Sequence, residues 1–172
     1  HPAVRATAEA LIMVAIDRDH DLRRLAHQAT HDPLTGVGNR AALLDRLHLA
    51  LARTRRTDRR VAVLFGELDG CKAVNDRYGH EVGDRMLVEV AARISGAVRP
   101  SDTVARTGGD EFVVVCEELD DGSHARAIAD RIIEAVEGPP MRVGELDLQV
   151  AISIGVALAD AVLDNPDRLL HA

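Results

Sequence analysis

Hydrophobic positions recur along the chain in runs that predict alternating helices and strands. Residues 61–65 are continuously apolar, which is typical of a strand buried on both faces. Apolar residues at helical spacing predict helices over residues 41–55, 82–94 and 123–137. Further apolar runs predict strands over residues 103–107, 112–116 and 148–156. Together these elements predict an α/β fold, more closely an α+β sandwich, in which helices cover both faces of a central mixed sheet.

The N-terminal segment has a different pattern. Residues 4–29 contain neither Pro nor Gly and predict one long helix, with a heptad seam that only Arg18 interrupts. Two interpretations stay open: the helix packs on its own domain, or it forms a two-stranded coiled coil that carries a signal from an upstream domain. Pro33 and two glycines then stop the helix. We therefore divide the chain into a linker helix, residues 1–29, and a domain, residues 30–172.

Composition narrows the class of protein. Of the 172 residues 47% are hydrophobic but only 2% are aromatic, so the core must be built from aliphatic side chains. A net charge of −7 argues against non-specific binding to nucleic acid or to anionic membranes. Two cysteines, Cys71 and Cys116, cannot form a disulfide framework, which favours a reducing cytoplasm. The longest apolar run, residues 11–16, is too short to cross a bilayer.

Carboxylates follow or precede tight turns at two places in the chain. Gly108 and Gly109, between two short predicted strands, are typical of a hairpin whose backbone can approach a ligand closely, and Asp110 and Glu111 follow them. Glu67 and Asp69 lie at the C-terminal end of the buried strand. An acidic hairpin tip alone is usually a solvated turn. Because carboxylates from two elements can meet at one sheet edge, however, the pattern indicates a Mg²⁺ site completed by substrate phosphates.

Four polar residues near this edge could bind a nucleotide. Lys72, three residues beyond Asp69, could place a point charge on a phosphate. Asn75, His80 and Asp84 supply amide, imidazole and carboxylate groups that could recognise the edge of a base. Residue types alone lead to a nucleotide site and no further.

Motifs spread over residues 30–170 resemble the GGDEF family of diguanylate cyclases. The segments that carry the resemblance occur in the family's order: DPLTG at residues 32–36 with NR at 39–40, DGCKAVND at 69–76, GH at 79–80, GD at 83–84, GGDEF at 108–112 and SIGV at 153–156. The resemblance implies a nucleotidyl-cyclase-like fold. It also implies an enzyme that condenses two GTP molecules into cyclic di-GMP with release of two pyrophosphates.

The resemblance also implies roles for the site residues. A Mg²⁺ or Mn²⁺ ion would be held by Glu67, the carbonyl of Leu68 and Asp110. Asp110 would also accept the proton of the attacking 3′-hydroxyl, with Glu111 beside it as a second acid. Lys72 would contact phosphate. Among the residues expected to bind substrate, Asn75 and Asp84 resemble the guanine and ribose readers, joined by His80, Gly108 and Gly109.

Regulation and assembly follow from the same resemblance. Each domain would hold one GTP, so two copies must meet face to face as a homodimer, and an upstream sensory domain would control that encounter. Arg99 and Asp102 match the family's RxxD site, where bound cyclic di-GMP inhibits the enzyme; five residues separate this motif from Gly108. A guanidinium at this position could bind guanine or phosphate through two hydrogen bonds. The expected partners are therefore GTP, cyclic di-GMP and a second copy, without nucleic acid or direct membrane insertion, in the cytoplasm.

The sequence departs from the family pattern at three positions. Glu67 stands where Asp is usual, Cys71 where an aromatic residue is usual, and Gly38 where Pro is common. The chain starts without Met and stops where the family continues into a helix with further phosphate contacts, so we expect it to be part of a longer protein. Glu67 keeps open two alternatives to an active cyclase: a receptor that binds GTP or cyclic di-GMP without turnover, and a regulatory dimerisation module.

Overall fold

The computed structural model describes residues 18, 21, 24–54, 57 and 59–159. The predicted helix over residues 4–29 lies largely outside these residues, and residues 24–30, which fall inside, are helical. The division of the chain at residue 29 therefore stays a prediction. None of the helices in the described part of the chain combines the length and the apolar character needed to cross a membrane.

In the described part of the chain, four helices and six strands follow residues 24–30. The helices are α1 (Arg40–Thr54), α2 (Cys71–Tyr78), α3 (His80–Ala97) and α4 (Gly122–Glu137). The strands are β1 (Arg60–Asp69), β2 (Thr103–Gly108), β3 (Glu111–Leu119), β4 (Met141–Val143), β5 (Leu146–Leu148) and β6 (Ala151–Ala159). The predicted helices correspond to α1, α3 and α4, and the predicted strands to β1, β2, β3 and β6.

The central sheet has the strand order β2-β3-β1-β6, and β4 and β5 form a separate hairpin. The strand pairs of the central sheet are antiparallel. A parallel component comes from an isolated bridge between Gly38 and Ala105, which joins the segment before α1 to β2. Strands β1 and β3 lie at the centre of this sheet.

Helices cover both faces of this sheet, as the sequence predicts. Because side chains alternate along a strand, odd-numbered positions of β1 point to one face and even-numbered positions to the other. Val61 and Val63 pack with Leu43 and Leu47 of α1 in one apolar cluster. The opposite face packs against α3 and α4 in a larger cluster. Its members are mostly aliphatic, and it also contains the aromatic side chain of Phe112, which is 1% exposed. We call these two sides of the sheet the α1 face and the α3/α4 face.

The structure extends one predicted strand, displaces another, and adds helix α2 and the β4–β5 hairpin. Strand β1 extends past the predicted apolar run to Asp69, and Glu67 and Asp69 lie at its C-terminal end, as predicted. Helix α2 is absent from the prediction because its sequence has no apolar periodicity; only Cys71 in it is buried. The predicted strand over residues 148–156 is displaced: Leu148 ends β5, and β6 begins at Ala151. Gly144, at a φ of 64°, makes the tight turn of the β4–β5 hairpin.

Candidate active site

A row of polar side chains crosses the end of the sheet on the α1 face. Glu67 of β1 lies directly opposite Glu111 of β3 on one side and opposite Ser153 of β6 on the other. Directly opposed residues of antiparallel strands have Cβ atoms about 4.5–5.5 Å apart, and like charges there repel. Neither carboxylate has an ion pair with a described cationic side chain. The sequence prediction that carboxylates meet at this edge is correct for Glu67 and Glu111.

The glycine-rich turn joins β2 and β3 at the same edge. Gly109 has a φ of 46°, a conformation that suits glycine, whereas Gly108 still belongs to β2. Asp110 lies in the turn, and its carbonyl accepts a hydrogen bond from the Leu68 N–H at 3.2 Å. This bond ties the turn to the end of β1. The turn is therefore held against the strand that carries Glu67.

Arg106 holds the turn from the other side. Its Nε and one terminal nitrogen donate to the Gly109 carbonyl at 2.9 and 2.6 Å, and its other terminal nitrogen donates to both oxygens of Asp32 at 3.2 and 3.3 Å. Both side chains of this ion pair are largely buried, at 13% and 15% exposure. The sequence analysis missed Arg106, because nothing in the local pattern shows that its partner lies 74 residues away.

Asp32 anchors the turn that precedes α1. Its Oδ1 accepts hydrogen bonds from the Thr35 N–H at 2.9 Å and the Thr35 hydroxyl at 2.6 Å. Burial by itself would raise the pKa of Asp32, but the hydrogen bonds from Thr35 and the charge of Arg106 outweigh it and lower the pKa. Asp32 is therefore a fixed anion that links the segment before α1 to the glycine-rich turn.

Two hydroxyl groups orient the acidic residues. The Ser153 hydroxyl donates to Asp69 Oδ2 at 3.2 Å, and the Thr107 hydroxyl donates to Glu111 Oε2 at 3.3 Å. Sequence analysis did not single out either hydroxyl. Thr107 lies four residues before Glu111, a spacing that a hairpin brings together, so this contact could have been found from the predicted hairpin.

The residues predicted to bind the nucleotide lie on α2 and α3 and not in the row of carboxylates. Lys72, His80 and Asp84 are exposed and Asn75 is half-buried. Asn75 packs against α3 at Gly83, and among the described residues no donor reaches Asn75 Oδ1, which is buried. Helix α2 begins two residues after Asp69. The predicted nucleotide-binding residues and the carboxylates therefore lie on either side of the end of β1.

Cys71, the first residue of α2, is buried beneath the site. Burial raises the pKa of the Cys71 thiol to about 11, and the negative charge of Asp110 adds to the increase, whereas Arg106 opposes it. The thiol is therefore neutral at physiological pH. Its small side chain, at this departure from the family pattern, belongs to the apolar cluster of the α3/α4 face.

A cavity of about 650 Å³ opens on the α1 face beside the carboxylates. Its lining includes Glu67, Glu111, Thr107, Ser153 and, from the first turn of α1, Arg40. The predicted residues on α2 and α3 are not part of this lining. In the described residues no group of three or more His, Cys, Asp or Glu side chains could hold a metal ion by itself. A metal here would need the backbone or a ligand to complete its coordination.

A second cavity, of about 450 Å³, lies at the C-terminal end of α3. It contains the predicted product-binding residues Arg99 and Asp102, together with His31 and Val104. Asp102 Oδ2 accepts a hydrogen bond from the Arg99 N–H at 3.0 Å, which shapes the turn after α3 and leaves the exposed Arg99 side chain at the surface. Arg131 of α4 donates its Nε hydrogen to the Ala97 carbonyl at the C-terminal end of α3.

Comparison with known proteins agrees with this geometry. The family described as the GGDEF domain of diguanylate cyclases matches residues 29–172. The chain belongs to the GGDEF family of diguanylate cyclases. This result confirms the resemblance and the nucleotidyl-cyclase-like α+β fold predicted from the sequence.

Relatives of this GGDEF domain are parts of longer proteins. The chain is 46% identical over 136 residues to MucR of Pseudomonas aeruginosa, a bifunctional diguanylate cyclase/cyclic di-GMP phosphodiesterase, over 79% of this chain and 20% of MucR. It is 44% identical over 147 residues to the diguanylate cyclase TpbB of the same organism, over 86% of this chain and 34% of TpbB. The chain thus spans about a fifth to a third of the length of these relatives.

Solved GGDEF domains share the fold. The structure of the GGDEF domain of TpbB superposes with a TM-score of 0.78 at 43% identity, covering 82% of each chain. The GGDEF domain of DgcB from Caulobacter crescentus, in complex with c-di-GMP, has a TM-score of 0.71 at 26% identity, over 77% of this chain and 79% of that one.

Proposed function

We propose that this GGDEF domain is a diguanylate cyclase that converts two GTP molecules into cyclic di-GMP and two pyrophosphates. The observation that supports the proposal best is the pairing of Glu67 with Glu111 beside the Gly108–Asp110 turn, in a family of cyclases. In each of two attacks, a bond forms between a 3′-oxygen and an α-phosphorus, and the bond from that phosphorus to the bridging oxygen of pyrophosphate breaks. The 3′-hydroxyl proton passes to Asp110, with Glu111 as the neighbouring acid.

A divalent cation, Mg²⁺ or Mn²⁺, fits the donor set at this edge. Two carboxylates at opposed positions repel each other unless a cation lies near them, and Mg²⁺ is commonly bound by one or two carboxylates plus substrate phosphates. Glu67, the Leu68 carbonyl and Asp110 would hold the ion. The Leu68 carbonyl points toward the same neighbouring strand as its N–H, which already contacts Asp110. When bound, the ion would polarise the α-phosphate and neutralise the leaving pyrophosphate.

Substrate recognition is assigned to α2, α3 and the turn. Lys72 would contact phosphate, and Asn75 and Asp84 would read guanine and ribose, with His80 nearby. The turn would bring the backbone of Gly108 and Gly109 close to the nucleotide, because no side chain intervenes there. The site holds one nucleotide per domain, so the reaction requires a homodimer in which two sites face each other. An upstream sensory domain, acting through residues 1–29 in the cytoplasm, would control that encounter.

We also propose that cyclic di-GMP inhibits the enzyme by binding at Arg99 and Asp102. The exposed Arg99 side chain lines a cavity remote from the carboxylates, so the product could bind there without competing with GTP. A relative, DgcB, binds the same product. The test is the affinity for cyclic di-GMP by calorimetry. Arg99→Ala should lower it at least tenfold, and an unchanged affinity would refute this part of the proposal.

A receptor that binds nucleotide without turnover is the second candidate, and Glu67 is the observation that favours it. A glutamate moves the carboxylate by one methylene, and phosphoryl transfer is sensitive to displacements near 1 Å. Incubation of the full-length protein with GTP and Mg²⁺ or Mn²⁺, followed by chromatography of the product, distinguishes the two. Cyclic di-GMP formation supports the cyclase. GTP binding without product at high protein concentration refutes it, and Glu67→Asp then tests whether the longer side chain is the cause.

A further inference from the structure

Arg40 is a cation without a partner among the described residues, and it lines a cavity that contains two carboxylates. It is the first residue of α1, is exposed, and lines the 650 Å³ cavity with Glu67 and Glu111. Among the described residues no hydrogen bond or ion pair to its guanidinium occurs, whereas Arg46 in the same helix is paired with Glu117. The Arg40 side chain is thus available to a ligand and is not used to hold the fold together.

The cavity lies on the opposite side of the sheet from the residues assigned to base recognition. Glu67 and Glu111 point to the α1 face, as do Val63 and Val113, which pack with α1. The residues Asn75 and Asp84 belong to α2 and α3, and α3 packs on the other face. A nucleotide held by α2 and α3 therefore reaches the carboxylates from one side and leaves the α1-face cavity open on the other.

A cation on this side would offset part of the negative charge that the reaction brings together. Two triphosphates meet at an edge that already carries Glu67 and Glu111, and one divalent ion at the reacting phosphate does not neutralise the second nucleotide. A guanidinium matches phosphate with two parallel hydrogen bonds and is always protonated. A cavity of this volume is in the range of about 300–1,000 Å³ that small-molecule sites occupy.

Building on the proposed cyclase function, we propose that the α1-face cavity receives the acceptor GTP, which the facing domain of the homodimer holds and whose 3′-oxygen attacks, and that Arg40 binds its α-phosphate. The acceptor's 3′-oxygen attacks the α-phosphorus of the other GTP, and the acceptor's ribose separates that phosphorus from the acceptor's own α-phosphate. Arg40 would hold that group while the 3′-oxygen meets the carboxylate edge. Arg40 is thus a positioning residue for the acceptor and takes no part in proton transfer.

The test separates binding of the first nucleotide from the rate of product formation in the full-length protein. Arg40→Ala should lower the rate of cyclic di-GMP formation from saturating GTP and Mg²⁺ at least tenfold. Its affinity for a non-hydrolysable GTP analogue, measured at a protein concentration where the domain is monomeric, should stay within twofold of wild type. Arg40→Lys, which keeps the charge but loses the planar fork, should give an intermediate rate.

Arg126→Ala is the matched control, since Arg126 is an exposed arginine of α4 on the opposite face of the sheet. Its rate should equal that of wild type. Thermal melting checks that each variant folds, and if Arg40→Ala does not, Arg40→Gln is judged by the same criteria. An Arg40→Ala rate equal to wild type overturns the inference. A parallel loss of analogue affinity also overturns it, because Arg40 would then hold the first nucleotide. Wild-type protein that makes no product overturns the cyclase proposal itself, and this inference with it.

Discussion

Replacing Gly83 by alanine should weaken GTP binding while leaving the fold almost equally stable. A Cβ atom built at Gly83 lies 1.9 Å from Asn75 Oδ1 and 3.0 Å from its Cγ. Ordinary van der Waals contact begins at 3.4 Å, so the amide oxygen has to move by about 1.5 Å, the difference between 3.4 and 1.9 Å. The backbone of α3 has no comparable freedom, because Met86 and Leu87 are buried in the core. The Asn75 side chain must therefore rotate away from its position between α2 and α3.

The magnitudes separate an effect on stability from an effect on binding. An alanine in place of a helical glycine stabilises by up to about 1 kcal/mol. A displaced Asn75 rotamer costs about 0.5–1.5 kcal/mol, so the two contributions nearly cancel. Loss of one neutral hydrogen bond to guanine removes about 0.5–1.5 kcal/mol of binding free energy. The expected loss of GTP affinity is therefore roughly 2- to 12-fold.

Gly96 provides the matched control in the same helix. No atom lies within 4 Å of a Cβ built at Gly96, which is exposed. Gly96→Ala should therefore raise the free energy of unfolding in urea by up to about 1 kcal/mol and leave GTP affinity unchanged. In an Asn75→Ala background the obstructing amide is gone, so Gly83→Ala should also gain that stability and lose no further affinity. Urea titration and calorimetry with a non-hydrolysable GTP analogue measure both quantities on the same four variants.

The reasoning fails if Gly83→Ala binds the analogue like wild type while Asn75→Ala does not. Asn75 would then remain in place despite the added methyl group, and the close packing of α2 on α3 would not control this proposed guanine-binding residue. It also fails if Gly83→Ala and Asn75→Ala lower affinity additively, because two changes that act through one amide cannot do so.

Three further predictions concern the residues that hold the site. Arg106→Ala should lower the free energy of unfolding by about 3 kcal/mol, because it leaves Asp32 a largely buried, unpaired carboxylate; a loss below about 1 kcal/mol in urea titration would contradict this. Since the pKa of Asp32 is lowered in the folded protein, its stabilising effect is complete above the ordinary value of 3.8 and disappears as the pH falls through the folded pKa. The stability difference between wild type and Asp32→Asn should therefore be constant from pH 5 to 7 and shrink below pH 4, and an undiminished difference at pH 2 would refute it. Cys71, with a pKa of about 11, should react with iodoacetamide at neutral pH at least ~100-fold more slowly in native than in urea-unfolded protein, as peptide mass spectrometry would show.

Elements with strong apolar patterns could be predicted from the sequence, and weakly patterned ones could not. Strand β1 was predicted because residues 61–65 form a continuous apolar run, and residues 61–64 are indeed all buried. Helix α4 was predicted because apolar residues recur along one face. Helix α2 buries only Cys71, so no periodic signal exists for it. Strands β4 and β5 have three residues each, too few for alternation to be recognised. What decides these short elements is packing against the rest of the domain.

The same distinction applies to the site. Glu67, Asp110 and Glu111 could be found from sequence because each lies next to a turn or strand end whose local pattern is clear. Their register could not, since the sequence does not determine that Glu67 pairs with Glu111 rather than with Asp110. A shift by one residue would place Glu67 on the other face of the sheet. The face on which the chemistry occurs is thus a property of the assembled sheet.

Contacts between distant segments are the part that a single sequence cannot supply, and here they determine the geometry of the turn. Arg106 connects Asp32 to the Gly109 carbonyl, and Ser153 orients Asp69 across 84 residues. The segment before α1 thus supplies Asp32 to hold the turn from one side, and Arg40, eight positions later, lines the cavity on the α1 face. Any movement of the preceding helix that shifts this segment would change the position of the turn relative to Glu67. A preceding helix would therefore need no new contact at the carboxylates to act on the proposed active site, because Asp32 already holds Arg106 and Arg40 already lines the cavity.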